Sequence, residues 1–165
     1  VQPDAGRPDG ATGPATYGVG CLGRIGSFSE TEDGRFLITL NGLIRFRIAE
    51  ELPLAPGGFR RVRADYAPFT ADLDAAAPAP QLDRPMLVGA LRGYFRARGI
   101  QANWEAVEKT DDALLVTSLA MVCPFSAPEK QALLEAPTPD ARAAMLASLL
   151  EMGARAPDLP TDRPN

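Results

Sequence analysis

The sequence predicts an α+β fold with the strands first and the helices after. Apolar and polar residues alternate from Tyr17 to Phe69, and a stretch of small residues without periodicity, 71–81, follows. From Asp83 onward, caps and prolines punctuate runs in which apolar residues recur three and four apart. Strands in one block and helices in another point away from an alternating α/β sheet. The expected division is an irregular loop over 1–16, a β-rich lobe over 17–70, a linker over 71–81, a helical lobe over 82–154 and a disordered tail over 155–165.

Each element has a local reason. The first stretch carries Pro3, Gly6, Pro8, Gly10, Gly13 and Pro14 with little that is apolar, which reads as an exposed loop. In the first strand Tyr17, Val19, Cys21 and Ile25 share one parity, and Gly18, Gly20, Gly23 and Gly26 suggest a bent or bulged strand. Thr31-Glu32-Asp33-Gly34 is the expected hairpin turn. Phe36, Ile38, Leu40, Ile44, Phe46 and Ile48 then keep even parity, with Thr39, Asn41, Arg45 and Arg47 between them. That predicts a buried even face and a wet odd one. Asn41-Gly42 offers a second turn, but a two-residue loop there sets Ile38 opposite Arg45 and Phe36 opposite Arg47. One long strand kinked at Gly42 is the better reading. After a loop over 53–58, a third strand is expected over Phe59–Phe69.

In the helical lobe Asp83 caps a helix with Pro85 in its first turn, Leu87, Leu91, Tyr94, Phe95 and Arg98 on one face, and Gly99 at its end. Asp111 or Asp112 opens a second helix that carries Leu114, Leu115, Leu119 and Val122 and closes at Pro124. Ser126-Ala127-Pro128-Glu129 spells a capping box ahead of Leu133 and Leu134. Thr138-Pro139 opens a last helix with Met145, Leu146, Leu149 and Leu150, stopped by Gly153. The β half, with about three strands and a strongly apolar face, has too little cover. Either a strand upstream of Val1 or a partner is expected to complete it.

Composition removes several chemistries. With 165 residues, of which 45% are hydrophobic and 23% charged, the chain can bury a core as one domain or as two small lobes. The net charge of −4 does not attract nucleic acid. No apolar run approaches the roughly 20 residues of a membrane-spanning helix, and the first residues lack the pattern of a signal peptide. Cys21 and Cys123 are the only cysteines; two separated thiols fit a reducing, cytoplasmic setting. There is no histidine, so triads, Cys-His pairs and His-containing metal sites are out of reach. No phosphate-binding loop occurs. Gly18-x-Gly20-x-x-Gly23 spells a dinucleotide fingerprint, but it lies inside a strand that runs to a hairpin, where no helix N-terminus follows.

Cys21, in parity with Val19 and Ile25, reads as a buried thiol, and Cys123, at a helix C-terminus, as a packing residue. Asp111-Asp112 is explained by capping and Glu50-Glu51 by a strand end. Lys109 and Lys130, the only lysines, have no serine in a dyad motif. Arg45, Arg47, Arg60, Arg61 and Arg63 could form a basic face, although Asp65, Glu50 and Glu51 balance it. Trp104, beside Ile100 and Val107, reads as a core or lobe-joining anchor.

Specific stretches then carry a resemblance. Gly20-Cys21-Leu22-Gly23-Arg24-Ile25, Asp33-Gly34-Arg35 and Leu40-Asn41-Gly42-Leu43-Ile44-Arg45-Phe46-Arg47-Ile48, in this order, resemble the β core of the Lon protease N-terminal domain family. Leu119-Ala120, Glu129-Lys130-Gln131-Ala132-Leu133-Leu134-Glu135 and Ala141-Arg142-Ala143-Ala144-Met145-Leu146 resemble its helical half. The similarity covers roughly Tyr17–Met152. The family normally opens with a strand and a segment with Pro, Phe, Glu and Arg that this chain does not show, and a full Lon protease continues into an ATPase and a Ser-Lys peptidase. The chain therefore looks like the stand-alone bacterial form.

The resemblance implies a pseudo-barrel β lobe and a helical bundle that recognise unfolded or degron-bearing polypeptides. It supplies no catalytic residue and no cofactor. A protease is a further expected partner; nucleic acid and membrane are not. The expected contacts are Leu37, Leu43, Arg45, Arg47, Arg61 and Arg63, or an open sheet edge that accepts an added strand. A fragment of an ATP-dependent protease and a structural oligomerisation module are the alternatives.

Overall fold

A computed structural model describes residues 1–10, 12–74 and 79–155. The part of the expected linker over 75–78 and all but the first residue of the expected tail lie outside them. The chain divides into two units, Val1–Ala77 and Pro78–Asn165, which are taken in turn.

The first unit is built on a hairpin. Gly34, at φ 78°, takes the left-handed conformation the turn needs. The Thr31 amide donates to the Arg35 carbonyl at 2.8 Å, and the Gly34 amide to the Thr31 carbonyl at 2.9 Å. Strands β1 (Val19–Glu30) and β2 (Phe36–Leu52) run antiparallel from this turn, and β3 (Arg61–Asp65) pairs with the far end of β2. The order β1-β2-β3 makes an open antiparallel sheet with β1 and β3 as its edges.

β2 is one long strand, as the unbroken parity predicts. The Asn41-Gly42 step is absorbed as a bulge, where the register moves from Leu22↔Ile44 to Gly23↔Gly42. A second shift lies between Ile25 and Ser27. The glycines of β1 thus serve a bulged strand, and Gly20 serves a close approach. A Cβ at Gly20 would stand 2.8 Å from the Phe46 ring.

The third strand is shorter than expected. Residues 55–59 form a turn in which the Ala55 amide donates to the Phe59 carbonyl at 3.0 Å. At the other end the Asp65 carboxylate accepts from the Ala67 amide at 3.0 Å, and Pro68 follows. The chain turns there into a 3-10 helix over Ala67–Leu73, which buries Phe69 and takes residues that the sequence places in a strand or a linker.

Among its described residues the second unit holds five helices: α1 (Arg84–Ala97), α2 (Trp104–Lys109), α3 (Asp112–Val122), α4 (Ala127–Glu135) and α5 (Pro139–Arg155). Their starts are those the side chains dictate. Asp83 accepts from the Met86 amide at 2.9 Å, and Asp111 from the Ala113 amide at 3.0 Å. Glu129 accepts from the Ser126 amide at 2.7 Å, and Thr138 from the Ala141 amide at 3.1 Å.

Helix α2 is absent from the sequence reading, although Asn103 caps it at 3.1 Å and Glu105 pairs with Lys109 one turn on. Its six residues bury no side chain completely, so no apolar period announces it. Its end is closed from outside. The Arg84 guanidinium donates to the Val107, Glu108 and Thr110 carbonyls at 2.7, 2.9 and 2.8 Å and pairs with Asp112.

The core of this unit is made by Leu87, Leu91 and Tyr94 of α1, Leu115 of α3, and Leu146 and Leu150 of α5. Trp104, Ile100 and Val107 pack against it half-buried. Leu114 and Val122 of α3 instead face solvent. Gly153 does not stop α5, which continues to Arg155. Its missing side chain lets the Tyr94 ring lie against the helix, because a Cβ there would run into that ring.

Candidate functional site

Strand β3 pairs only with the Arg47–Leu52 end of β2. Beyond it, β1 and β2 continue as a two-stranded arm. Directly paired residues share a face, so Ile25 lies with Leu40 and Phe28 with Ile38, while Phe36 follows two places from Ile38. These five side chains form an apolar face, and all are between 50% and 65% exposed. The Phe28 and Phe36 rings stack with centroids 5.0 Å apart.

This corrects the expected burial of the even face. The bulge also breaks the even parity, because Ile44 pairs with Leu22 but Gly42 with Gly23. Ile44 and Phe46, each 8% exposed, therefore lie on one face, while Leu40, Ile38 and Phe36 continue the face of Cys21 and Arg45 and are left uncovered. Phe46 meets the Tyr66 ring edge-on at 5.9 Å. The apolar arm residues escape the sequence reading because alternation states which residues share a face. It does not state that a layer exists to cover them. The shortage of strands was the one available signal.

Polar groups rim the arm. Ser27 donates to Thr39 across the strands at 2.7 Å. At the tip, Arg35 holds Asp33 with its Nε 2.7 Å from Oδ2, and Thr31 also donates to this carboxylate. Those two hydrogen bonds, Arg35 first, lower the Asp33 carboxyl to about 2.

The residues expected to contact polypeptide do not gather at one place. Arg45 is buried, which overturns the expectation that it stands on the wet face. Its Nε and Nη2 each donate to Asp72 at 2.8 Å, its amide donates to the same carboxylate at 3.1 Å, and its guanidinium lies 4.6 Å from the centre of the Phe69 ring. Asp72 stands on the 3-10 helix, inside the segment expected to be a linker, so Arg45 fastens that helix to the sheet.

Arg47 is exposed, and it shares a face with Arg61 and Arg63 through its pairing with Asp65. Arg63 is matched by Glu50 at 3.0 Å, and Arg61 donates to the Pro53 carbonyl at 3.2 Å. Leu37, 65% exposed, lies ten residues along β2 from Arg47, roughly 30 Å at the rise of an extended strand. Leu43 is 40% exposed at the bulge.

Cys21 also departs from expectation. It is exposed opposite Arg45 rather than buried. Cys123 is buried among the helices, and burial pushes its thiol up to about 11. Among the described residues no group of three or more Cys, Asp or Glu side chains is placed to hold a metal ion. Among them, too, no helix is long and apolar enough to cross a membrane.

Comparison with known proteins fits this architecture. The family described as the ATP-dependent protease La (LON) substrate-binding domain matches residues 4–152. The fold is also that of a solved structure, a Lon N-terminal domain protein from Xanthomonas campestris. The two share 19% identity and superpose with a TM-score of 0.56, covering 82% of this chain and 68% of that one. No match was found among curated proteins. A strand block, an acidic-Gly hairpin, a kinked β2 and a capped helical half thus occur in a chain that belongs to the Lon substrate-binding domain family.

Proposed function

We propose that this chain is a non-catalytic polypeptide-binding module, and that the apolar face of its hairpin arm receives extended or unfolded polypeptide. The observation that carries the reading is the run Ile25, Phe28, Phe36, Ile38 and Leu40, at least half exposed along its whole length. A contiguous apolar surface with a polar rim is the usual mark of an interaction site.

Covering a fully exposed apolar side chain contributes roughly 1.5–3 kcal/mol. The five arm residues are half to two-thirds exposed, so each contributes about half to two-thirds of that. Ordering a residue of an extended ligand costs about 1–2 kcal/mol, which this burial roughly offsets. Hydrogen bonds to the outer edge of β1 would add to this by strand addition. Leu37, Leu43 and Arg47 flank the arm on its other face or at its base, and Arg61 and Arg63 stand at the opposite edge of the sheet, where an acidic stretch of the same polypeptide could lie. Arg45 is left out, since Asp72 holds it.

The degron-bearing polypeptides of a proteolytic system are the expected ligands, with the chain recruiting them. The test is binding to unfolded casein, followed by fluorescence anisotropy, with Phe28→Ser and Phe36→Ser combined. We expect the double variant to bind at least about tenfold more weakly, the equivalent of 1.4 kcal/mol. Unchanged affinity in a variant whose far-ultraviolet circular dichroism matches the parent would overturn the assignment of this face.

A further inference from the structure

A second surface lies in the helical unit, far along the sequence from the arm. Arg92 and Arg96 stand one helical turn apart on α1, and both are exposed. With Phe95, Ile100 and Trp104 they line an open depression of about 230 Å³. The Arg92 guanidinium lies over the Trp104 ring, 4.1 Å from its centre, and the Phe95 ring is 6.0 Å from that of Trp104.

Two like charges at this spacing repel each other. Among the described residues only Arg92 has an acidic neighbour, Glu108, at a loose 3.6 Å. The unit thus keeps two guanidinium groups at the mouth of an aromatic and aliphatic floor, in a chain whose net charge is −4. Core packing accounts for Phe95, which is 7% exposed. It does not account for the arginines.

We propose that this depression is a carboxylate-binding subsite for polypeptide. The carboxylate would sit between Arg92 and Arg96, and the apolar side chain beside it would rest on Phe95, Ile100 and Trp104. Guanidinium groups match a carboxylate by paired hydrogen bonds. The volume is below the roughly 300 Å³ at which drug-sized ligands begin, which suits the end of one residue. The inference rests on the polypeptide-binding reading and adds a chemical preference to it: an apolar residue next to a carboxylate, either the chain terminus or an acidic side chain.

Trp104 is the only tryptophan, so its fluorescence reports on the depression directly. The probes are acetyl-Ala-Ala-Leu with a free C-terminal carboxylate, the same peptide as its amide, and an amidated peptide in which Glu precedes Leu. We expect the free acid to change Trp104 emission saturably, with an affinity that falls as salt is raised. The amide should bind about tenfold more weakly, the factor of one charge-assisted hydrogen bond at the lower end of its range.

Arg96→Gln, on an exposed side chain, should cost a similar factor with the free acid and leave circular dichroism unchanged. If the Glu-Leu amide binds as well as the free acid, the subsite stands and its source is the acidic side chain; if it binds like the plain amide, the source is the chain terminus. Equal binding of acid and amide, or an Arg96→Gln variant that titrates like the parent, overturns the subsite. The Phe28→Ser, Phe36→Ser double variant should titrate with the free acid as the parent does. A parent that binds casein yet does not distinguish acid from amide therefore fails the subsite alone.

Discussion

The hairpin arm and the helical unit both carry regular apolar stripes, and they bury them to opposite extents. Leu87, Leu91, Leu146 and Leu150 are fully buried, whereas Phe28 and Leu40 are 61% and 65% exposed. The contrast comes from what each element needs in order to be covered. A helix stripe is covered by other helices of the same unit, and α1 lies against α5, the last of them, in this way. A hairpin face needs a third strand or another layer, and β3 has five residues to offer a β2 of seventeen. The surplus of apolar surface therefore collects on the arm, where it stays exposed.

The largest effect expected from this contrast is on core stability. Leu146→Ala should cost about 3 kcal/mol, within the usual range for a buried leucine, while Leu40→Ala should stay within about 0.5 kcal/mol. Chemical denaturation of the two variants measures the difference, and equal losses would break the comparison.

Within the first unit, Asp72→Ala tests how its covered half is held. It leaves a guanidinium that is 8% exposed without its carboxylate. We expect a loss of about 2–4 kcal/mol, somewhat under the usual cost of breaking a buried pair, because the Asp72 side chain is itself 22% exposed. Glu50→Ala, which removes the exposed partner of Arg63, should cost less than about 1 kcal/mol.

Gly153→Ala sets two terms against each other. Alanine favours a helix over glycine by about 1 kcal/mol, but the added methyl meets the Tyr94 ring. Overpacking of this kind costs roughly 1–3 kcal/mol, so a net loss of about 1 kcal/mol is expected. Gly89→Ala, where nothing lies within 4 Å of the added atom, should instead raise the melting temperature.

The two cysteines report the same contrast chemically. At pH 8 the exposed Cys21 should react with a thiol reagent at once, and Cys123 only after unfolding. The Cys123 thiol is raised from an ordinary 9 to about 11 in the fold. Its contribution to stability is thus fully present below pH 9 and is lost as pH rises through about 11. Reaction of both thiols in the folded chain would contradict the packing of the helical unit.

The smallest effect is at the tip of the arm. Asp33 should titrate near pH 2 by nuclear magnetic resonance, and Arg35→Ala should move it back toward 3.8. With its folded value depressed, whatever Asp33 adds to stability is present above pH 3.8 and is lost as pH falls through about 2.

What the sequence determined by itself is local. Asp33-Gly34 set the hairpin, alternation set the continuity of β2 and the faces on either side of its bulge but not across it, and Asp83, Asp111, Ser126 with Glu129, and Thr138 set the helix starts. Each depends on a few neighbouring residues, so each is written in a short window. The absence of histidine and of a phosphate loop is equally a property of the sequence. Tertiary structure decided which apolar face is covered, and it withdrew Arg45 from the surface by pairing it with a carboxylate 27 residues away. It also turned Gly153 from a stop into a seat for Tyr94, and it set Arg92 and Arg96 beside Trp104. The physical reason is common to all four. Periodicity fixes the direction in which a side chain points, whereas burial and charge pairing depend on what another segment brings to that place.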